Sequence, residues 1–168
     1  MMKGVIIRPA APSDLPEINA IFNYYIAHST CMWETTLRTE AECKAWYEEH
    51  GEAMPILVAE FTGRVVGWCA LSSFRKAYTF AGTLDDSIYV HHDFHRQGIG
   101  SQLLAALIDA ARRKSVRSIL AHISADQEPS IRLHEKFGFQ EVGRFQQVGW
   151  KFNRRLDAVY LQLLLNQG

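Results

Sequence analysis

Cysteine is scarce in this chain, with three in 168 residues. Cys31, Cys43 and Cys69 are odd in number and no two form a CxxC pair. That excludes a disulfide framework and a zinc-ribbon spacing, and reads as reduced thiols in a cytoplasmic protein. Charge of one sign is lacking too, since 18 Lys and Arg face 18 Asp and Glu. A phosphate backbone wants a basic field, so nucleic acid is not expected as a partner, although a small local basic pocket remains open. No apolar run approaches the roughly 20 residues that cross a bilayer, and the opening stretch meets Arg8 too early for a secretory signal. No membrane partner is expected. Internal repeats and low-complexity runs are absent. One domain over 1–168 is therefore expected, long enough to bury a core without a metal or disulfide staple.

What is present is a hydrophobic period that switches along the chain. Val5–Arg8 reads as a first strand, stopped by Pro9 and Pro12. Ser13 and Asp14 offer a helix N-cap with Glu17 three residues on, and Leu15, Ile18, Phe22 and Tyr25 at helical spacing predict a helix over about 14–28. Thr39-Glu40-Ala41-Glu42 is a capping box that opens a second helix ending near Gly51. Pro55–Phe61 and Arg64–Leu71 flank Thr62-Gly63 as a β-hairpin. Leu84–Val90 is a further strand after an aromatic loop. A helix starts near Gly98, with Ile99, Leu103, Leu104, Leu107, Ile108 and Ala111 on one stripe. Arg117–Ile123 reads as a buried strand. Asp126 is placed to cap a last helix that Gly138 ends, and Phe139–Val148 and Phe152–Leu165 close the chain as strands. The order β-α-α-β-β-β-α-β-α-β-β predicts an α/β (α+β) fold, a mixed sheet with helices on both faces.

The chemically informative segment runs from Ser87 to Ser101, where a strand enters a glycine-containing loop and the loop enters an amphipathic helix. Gly98 and Gly100 remove Cβ atoms, so backbone N–H groups can approach an anion closely. The helix start adds unpaired donors and partial positive charge, and Arg96 adds a full one. A Rossmann fingerprint would need glycine where Leu103 stands, and the Gly-Lys-Ser/Thr of a P-loop is missing. On these residues alone the segment is either an anion cradle or a plain surface turn.

His95, Gly98 and Gly100 fall where the GNAT N-acetyltransferase signature has a polar or basic residue, two variable positions, Gly, one variable position, then Gly or Ala. Ser130–Phe139, a helix ending in Gly-Phe, resembles the second GNAT segment. Ile21-Phe22-Asn23, Trp33, Pro55–Ala59, Val66-Gly67-Trp68, Ser87–Val90, Leu133-His134 and Val148–Asp157 extend the likeness over nearly the whole chain. Together they resemble the phosphinothricin / methionine sulfoximine N-acetyltransferase branch. That resemblance implies a GNAT fold with a mixed, mostly antiparallel sheet of about seven strands, and a cytoplasmic homodimer. It implies transfer of acetyl from acetyl-CoA to an amino-acid α-amine by direct attack. His95 departs from the usual Gln or Arg, and Asn153 and Arg155 from the Gly and Trp expected there.

The resemblance puts the CoA pyrophosphate on Arg96, Gln97, Gly98, Ile99, Gly100 and Ser101, and the pantetheine along Ile88, Tyr89 and Val90. Gln127 stands where an Asn beside the cofactor is usual, and Lys136 near the phosphates. Asp85 occupies the place of a Glu that removes the amine proton, directly or through water, with Asp86 as its rival on the opposite strand face. His134 stands where other GNAT proteins protonate the leaving thiolate; the alternative is a histidine packed between helix and sheet. Arg75 can grip a substrate carboxylate, with Tyr78, Thr79, Phe80 and Trp33 as candidate pocket walls. His91, His92 and His95 lack a known metal-ligand spacing, so no metal is expected. Two other functions stay open: acetylation of another amine (a polyamine, an aminoglycoside or a protein N-terminus), and a CoA-binding regulatory module without turnover.

Overall fold

The computed structural model describes residues 4–51 and 54–165. In chain order it builds β1 (Ile6–Pro9), α1 (Leu15–His28), α2 (Glu40–His50), β2 (Ile56–Phe61), β3 (Arg64–Ser73), β4 (Thr83–Val90), α3 (Ile99–Arg113), β5 (Ser118–Ser124), α4 (Glu128–Lys136), β6 (Gln140–Lys151) and β7 (Arg154–Leu164). The strands form one sheet in the order β1-β2-β3-β4-β5-β7-β6. Every neighbouring pair is antiparallel except β4 and β5. That one parallel pair needs a crossover, which α3 supplies. The mixed, mostly antiparallel sheet expected from the sequence is the sheet observed. No described helix is long and apolar enough to cross a membrane.

Both faces of the sheet are covered, and alternation along each strand divides the core in two. Cys69, Leu71, Leu84, Ile119, Ala121, Val159 and Leu161 pack under α3. Val58, Trp68 and Ala70 pack against Ile18, Ile21, Phe22 and Tyr25 of α1. Trp68 is fully buried, with Phe22 stacked on it at 5.8 Å and Trp46 of α2 edge-on at 5.3 Å. Because β3 is covered on both sides, nearly all of it is buried.

Local signals met different fates. Thr39 and Glu42 form their reciprocal capping box at α2, and Thr62 and Gly63 both take positive φ, as a tight hairpin demands. Asp14 and Glu17 do not cap α1 reciprocally. Asp14 binds Arg8 and the Ala11 amide, and Glu17 accepts from the Val65 amide. Asp126 does not cap α4 either; Gln127 holds that position without a side-chain cap bond. The last hairpin turns at Phe152 and Asn153, both left-handed, so β6 extends to Lys151 instead of stopping at Val148. Gly149, Trp150 and Lys151 pair with Leu156, Arg155 and Arg154, which carries the ladder past the glycine.

Candidate active site

The two parallel strands stay in register only from Thr83 to Asp85, against Ser118 to Leu120. Beyond that point β4 runs on to Val90 and β5 to Ser124 without pairing, so the sheet splays. The opening is lined by Cys31, Asp86, Ser87, Ile88, Tyr89, His122, Ile123, Ser130 and His134. Main-chain groups on this edge of β4 lack a neighbouring strand, a ready partner for an extended ligand laid alongside. On the other edge, Gly67 of β3 lets the chains close up: a Cβ there would lie 3.0 Å from the Tyr89 carbonyl. The Tyr89 side chain packs into the α1 core beside Trp68, Tyr25 and Phe22. Ile88 and Val90 pack under α3.

At the end of β4 the chain makes a short 3-10 turn, His92–Phe94, then a loop into α3. Arg96 and Gly98 both hold left-handed backbone, at φ 60° and 83°. Such turns arrange successive N–H groups into anion-binding concavities, and the first amides of α3 follow directly with no intrahelical acceptor. His95 braces this loop from below. Its Nε2 lies 3.1 Å from the Val90 carbonyl and also meets the Tyr25 hydroxyl. His92 serves as a packing face, stacked on Tyr24 at 3.9 Å. Arg96, Gln97, Gly98, Ile99, Gly100 and Ser101 thus stand together as one cradle at the mouth of the splay.

The two adjacent aspartates part, as alternation requires. Asp86 turns toward α4 and meets His134 Nε2 at 3.1 Å, and both side chains are at most 4% exposed. His134 Nδ1 donates to the Ser130 carbonyl at 2.7 Å. Burial pulls the His134 pKa down, but the Asp86 charge and the two hydrogen bonds outweigh it, and the net shift is upward. Both ring nitrogens are engaged, which ties α4 to β4 at the splay, and His134 also lines the opening. Asp85 faces the other way, toward the α1 side. Burial, and secondly the Asp86 charge, push its pKa up to about 6, and its Oδ1 is buried without a hydrogen-bond partner.

The first loop is latched over the splay. Asp126 accepts from Thr30, Ser124 and Arg154, and Gln127 Nε2 donates to Thr30 at 2.8 Å. Lys151 is buried and donates to the Met32 carbonyl at 2.6 Å. Between these latches Trp33 stacks on His122, and His122 on Tyr160. The remaining candidates lie apart. Arg75 and Tyr78 line a separate cavity of about 580 Å³ with Lys76 and Lys114, and the Arg75 guanidinium sits over Phe74 and Phe80. Thr79 belongs to the same exposed turn, and Lys136 is exposed at the end of α4. His122 and Tyr160 escape the sequence reading, and Asp126 enters it only as a helix cap. A lone His inside the apolar run Ile119–Ile123 was the available signal.

The profile of the Acetyltransferase (GNAT) family matches residues 18–139. The chain belongs to the GNAT acetyltransferase family. It is 38% identical over 162 residues, covering 95% of itself and 94% of the relative, to the L-methionine sulfoximine/L-methionine sulfone acetyltransferase of Pseudomonas aeruginosa. A Salmonella typhimurium protein solved with its cofactor acetyl-CoA superposes with a TM-score of 0.96 at 34% identity, over 99% and 96% of the two chains. A phosphinothricin acetyltransferase from Sinorhizobium meliloti in complex with acetyl-CoA gives 0.94 at 30% identity, over 98% and 90%. In this GNAT chain the splay, the unpaired β4 edge and the left-handed loop before α3 fit an extended thioester ending in phosphates. The donor set is main-chain amide and Arg96, the chemistry a pyrophosphate requires.

Proposed function

We propose that the protein transfers acetyl from acetyl-CoA to the α-amine of a small amino acid of the methionine sulfoximine, methionine sulfone or phosphinothricin type. The observation that carries this reading is the splay of β4 and β5 leading into the α3 cradle, in a chain similar throughout to the methionine sulfoximine/sulfone acetyltransferases. In this reading Ile88, Tyr89 and Val90 hold the pantetheine by main-chain bonds, and Arg96–Ser101 hold the pyrophosphate. Gln127 and Lys136 act as further cofactor contacts. An amide of β4 stabilises the oxyanion. Asp85 attracts the ammonium and helps remove its proton, since an alkyl-ammonium cannot attack until it is deprotonated. Trp33 walls the acceptor site at the opening, and Arg75 takes the carboxylate when the turn of Tyr78, Thr79 and Phe80, which now holds it over a separate cavity, folds toward the splay. The Asp86–His134 pair holds the splay open. The long edge strand β6 joins two copies into a dimer.

A Brucella melitensis structure named as a ribosomal-protein-alanine N-acetyltransferase, at 38% identity and a TM-score of 0.93, supports a second acceptor, a peptide α-amine. Free CoA release, followed with a thiol reagent, separates the two. Methionine sulfoximine and sulfone are expected to turn over well, and an alanine-initiated peptide poorly. The reverse order would overturn the amino-acid reading and leave acetyl transfer standing.

A further inference from the structure

β5 carries one imidazole in its middle. Ala121 and Ile123 are buried under α3, so His122 between them turns to the opposite face, the one Asp85 uses. Asp85 pairs with Leu120, the last registered pair of β4 and β5. His122 therefore lies beyond it, inside the splay, where it lines the opening with Ser87, Ile88 and Tyr89.

Its ring is clamped flat. Trp33 stacks on it at 5.0 Å and 20°, and Tyr160 at 4.4 Å and 15°. Trp33 is wedged in turn against Gly149, where a Cβ would come within 2.6 Å of the indole, and Phe145 braces Tyr160 edge-on. With both faces covered, the ring edge and its nitrogens are what the opening meets. His28, His50, His95 and His134 each engage a ring nitrogen with a backbone carbonyl. Among the described residues no such bond ties His122.

We propose that His122 is a catalytic residue: its imidazole takes the proton of the acceptor ammonium inside the splay, while Asp85, at the closed end of the splay, attracts that ammonium. This rests on the acetyl-transfer reading above. His122 accepts one proton from the ammonium and becomes imidazolium. The freed nitrogen lone pair forms the N–C bond to the thioester carbonyl, and the oxyanion collapses with cleavage of the C–S bond, its electron pair going to sulfur. The second amine proton passes to the thiolate, giving the thiol, and His122 returns its proton to water.

His122 is the one exposed residue of β5; partial desolvation lowers its pKa from the ordinary histidine value, with no charged neighbour contributing, so the ring is neutral and able to accept near neutral pH. The titratable groups around it are held. Asp86 and His134 are locked to each other, and burial pushes up the Cys31 thiol. Burial and the Asp85 charge push up the Tyr160 phenol. Beyond Trp33, Lys151 is bonded to the Met32 carbonyl.

The test uses two variants of the full chain, with methionine sulfone and acetyl-CoA as substrates and free CoA as readout. His122→Phe keeps a ring between Trp33 and Tyr160 but removes both nitrogens. His122→Gly leaves a gap that added imidazole can fill. His122→Phe is expected to lower kcat about 100-fold, with the KM for acetyl-CoA unchanged and the acid limb of the pH profile altered. His122→Gly is expected to regain turnover with imidazole. A His122→Phe enzyme at the unmodified rate would overturn the proposal. So would a slow His122→Phe with the original pH profile together with a His122→Gly that imidazole does not rescue, which is the pattern of a structural brace. An unmodified protein that binds acetyl-CoA but acetylates no amine would overturn the functional reading and the proposal with it. Turnover indifferent to His122 overturns the proposal alone.

Discussion

Asp85 is a carboxyl group in a poor place for a charge. It is half-buried, its Oδ1 has no hydrogen-bond partner and Asp86 is its chain neighbour. Burial and then the Asp86 charge raise its pKa to about 6, so it is ionised at neutral pH and can attract an ammonium group. The same placement costs stability. A carboxyl whose folded pKa lies above the unfolded value of 3.8 binds more protons when folded, so stability falls as pH rises from about 4 to about 6 and then levels off. Asp85→Asn removes the charge and keeps the shape. It is expected to lower kcat at neutral pH by about 10- to 100-fold while raising the melting temperature there. Thermal unfolding at pH 7.5 alongside CoA-release kinetics checks both. Full kcat in the variant would leave Asp85 a structural residue.

In the proposed reading, the element that holds the cofactor is the turn from β4 into α3. Gly98 sits at φ 83°, a conformation that costs an L-residue about 1–2 kcal/mol. Gly98→Ala is expected to lose about that much stability and to weaken acetyl-CoA binding about tenfold, because the loop relaxes away from the positions that aim its amides. Calorimetric titration with acetyl-CoA reads the second effect, and denaturant unfolding the first. Gly100 is less clean a probe of the cradle. A Cβ there would lie 3.3 Å from Leu133 of α4, so a larger residue disturbs the α3–α4 contact as well as the phosphate approach.

For the whole molecule, the unfinished part is the outer edge of the sheet. β6 is a 12-residue edge strand whose side chains are almost all exposed, Val142, Phe145, Val148 and Trp150 among them, with Phe152 in the turn that follows. A long apolar edge strand is a template for pairing with another chain, and here it borders the wall formed by Trp33, His122 and Tyr160 through Phe145 and Gly149. We expect light scattering to give about twice the 19.1 kDa of one chain, and Trp150→Glu to halve that mass. Since Phe145 and Gly149 support the site from β6, the monomeric variant should also lose activity. A monomer for the unmodified chain would sink the dimer.

The sequence by itself determined what local rules control. Hydrophobic period placed the seven strands and four α-helices of the described residues in order, since burial of one face writes itself into spacing. The capping box of Thr39 and Glu42, the Thr62-Gly63 turn and the cradle around Gly98 were legible because each depends on residues within a few positions. Partners far along the chain were not. Asp126 has the chemistry of a helix cap, yet Thr30, 96 residues away, and Arg154 bind it instead. Asp86 and His134 meet across 48 residues, and with the Ser130 carbonyl they engage both ring nitrogens. His122 looked like an interruption in an apolar strand. Only the register of β5 between β4 and β7, and a first loop folded back to lay Trp33 on its ring, made it a clamped imidazole in the opening. Spacing along a chain reports which face a residue takes; what it meets there is set by register and packing between elements that have no sequence relation to one another.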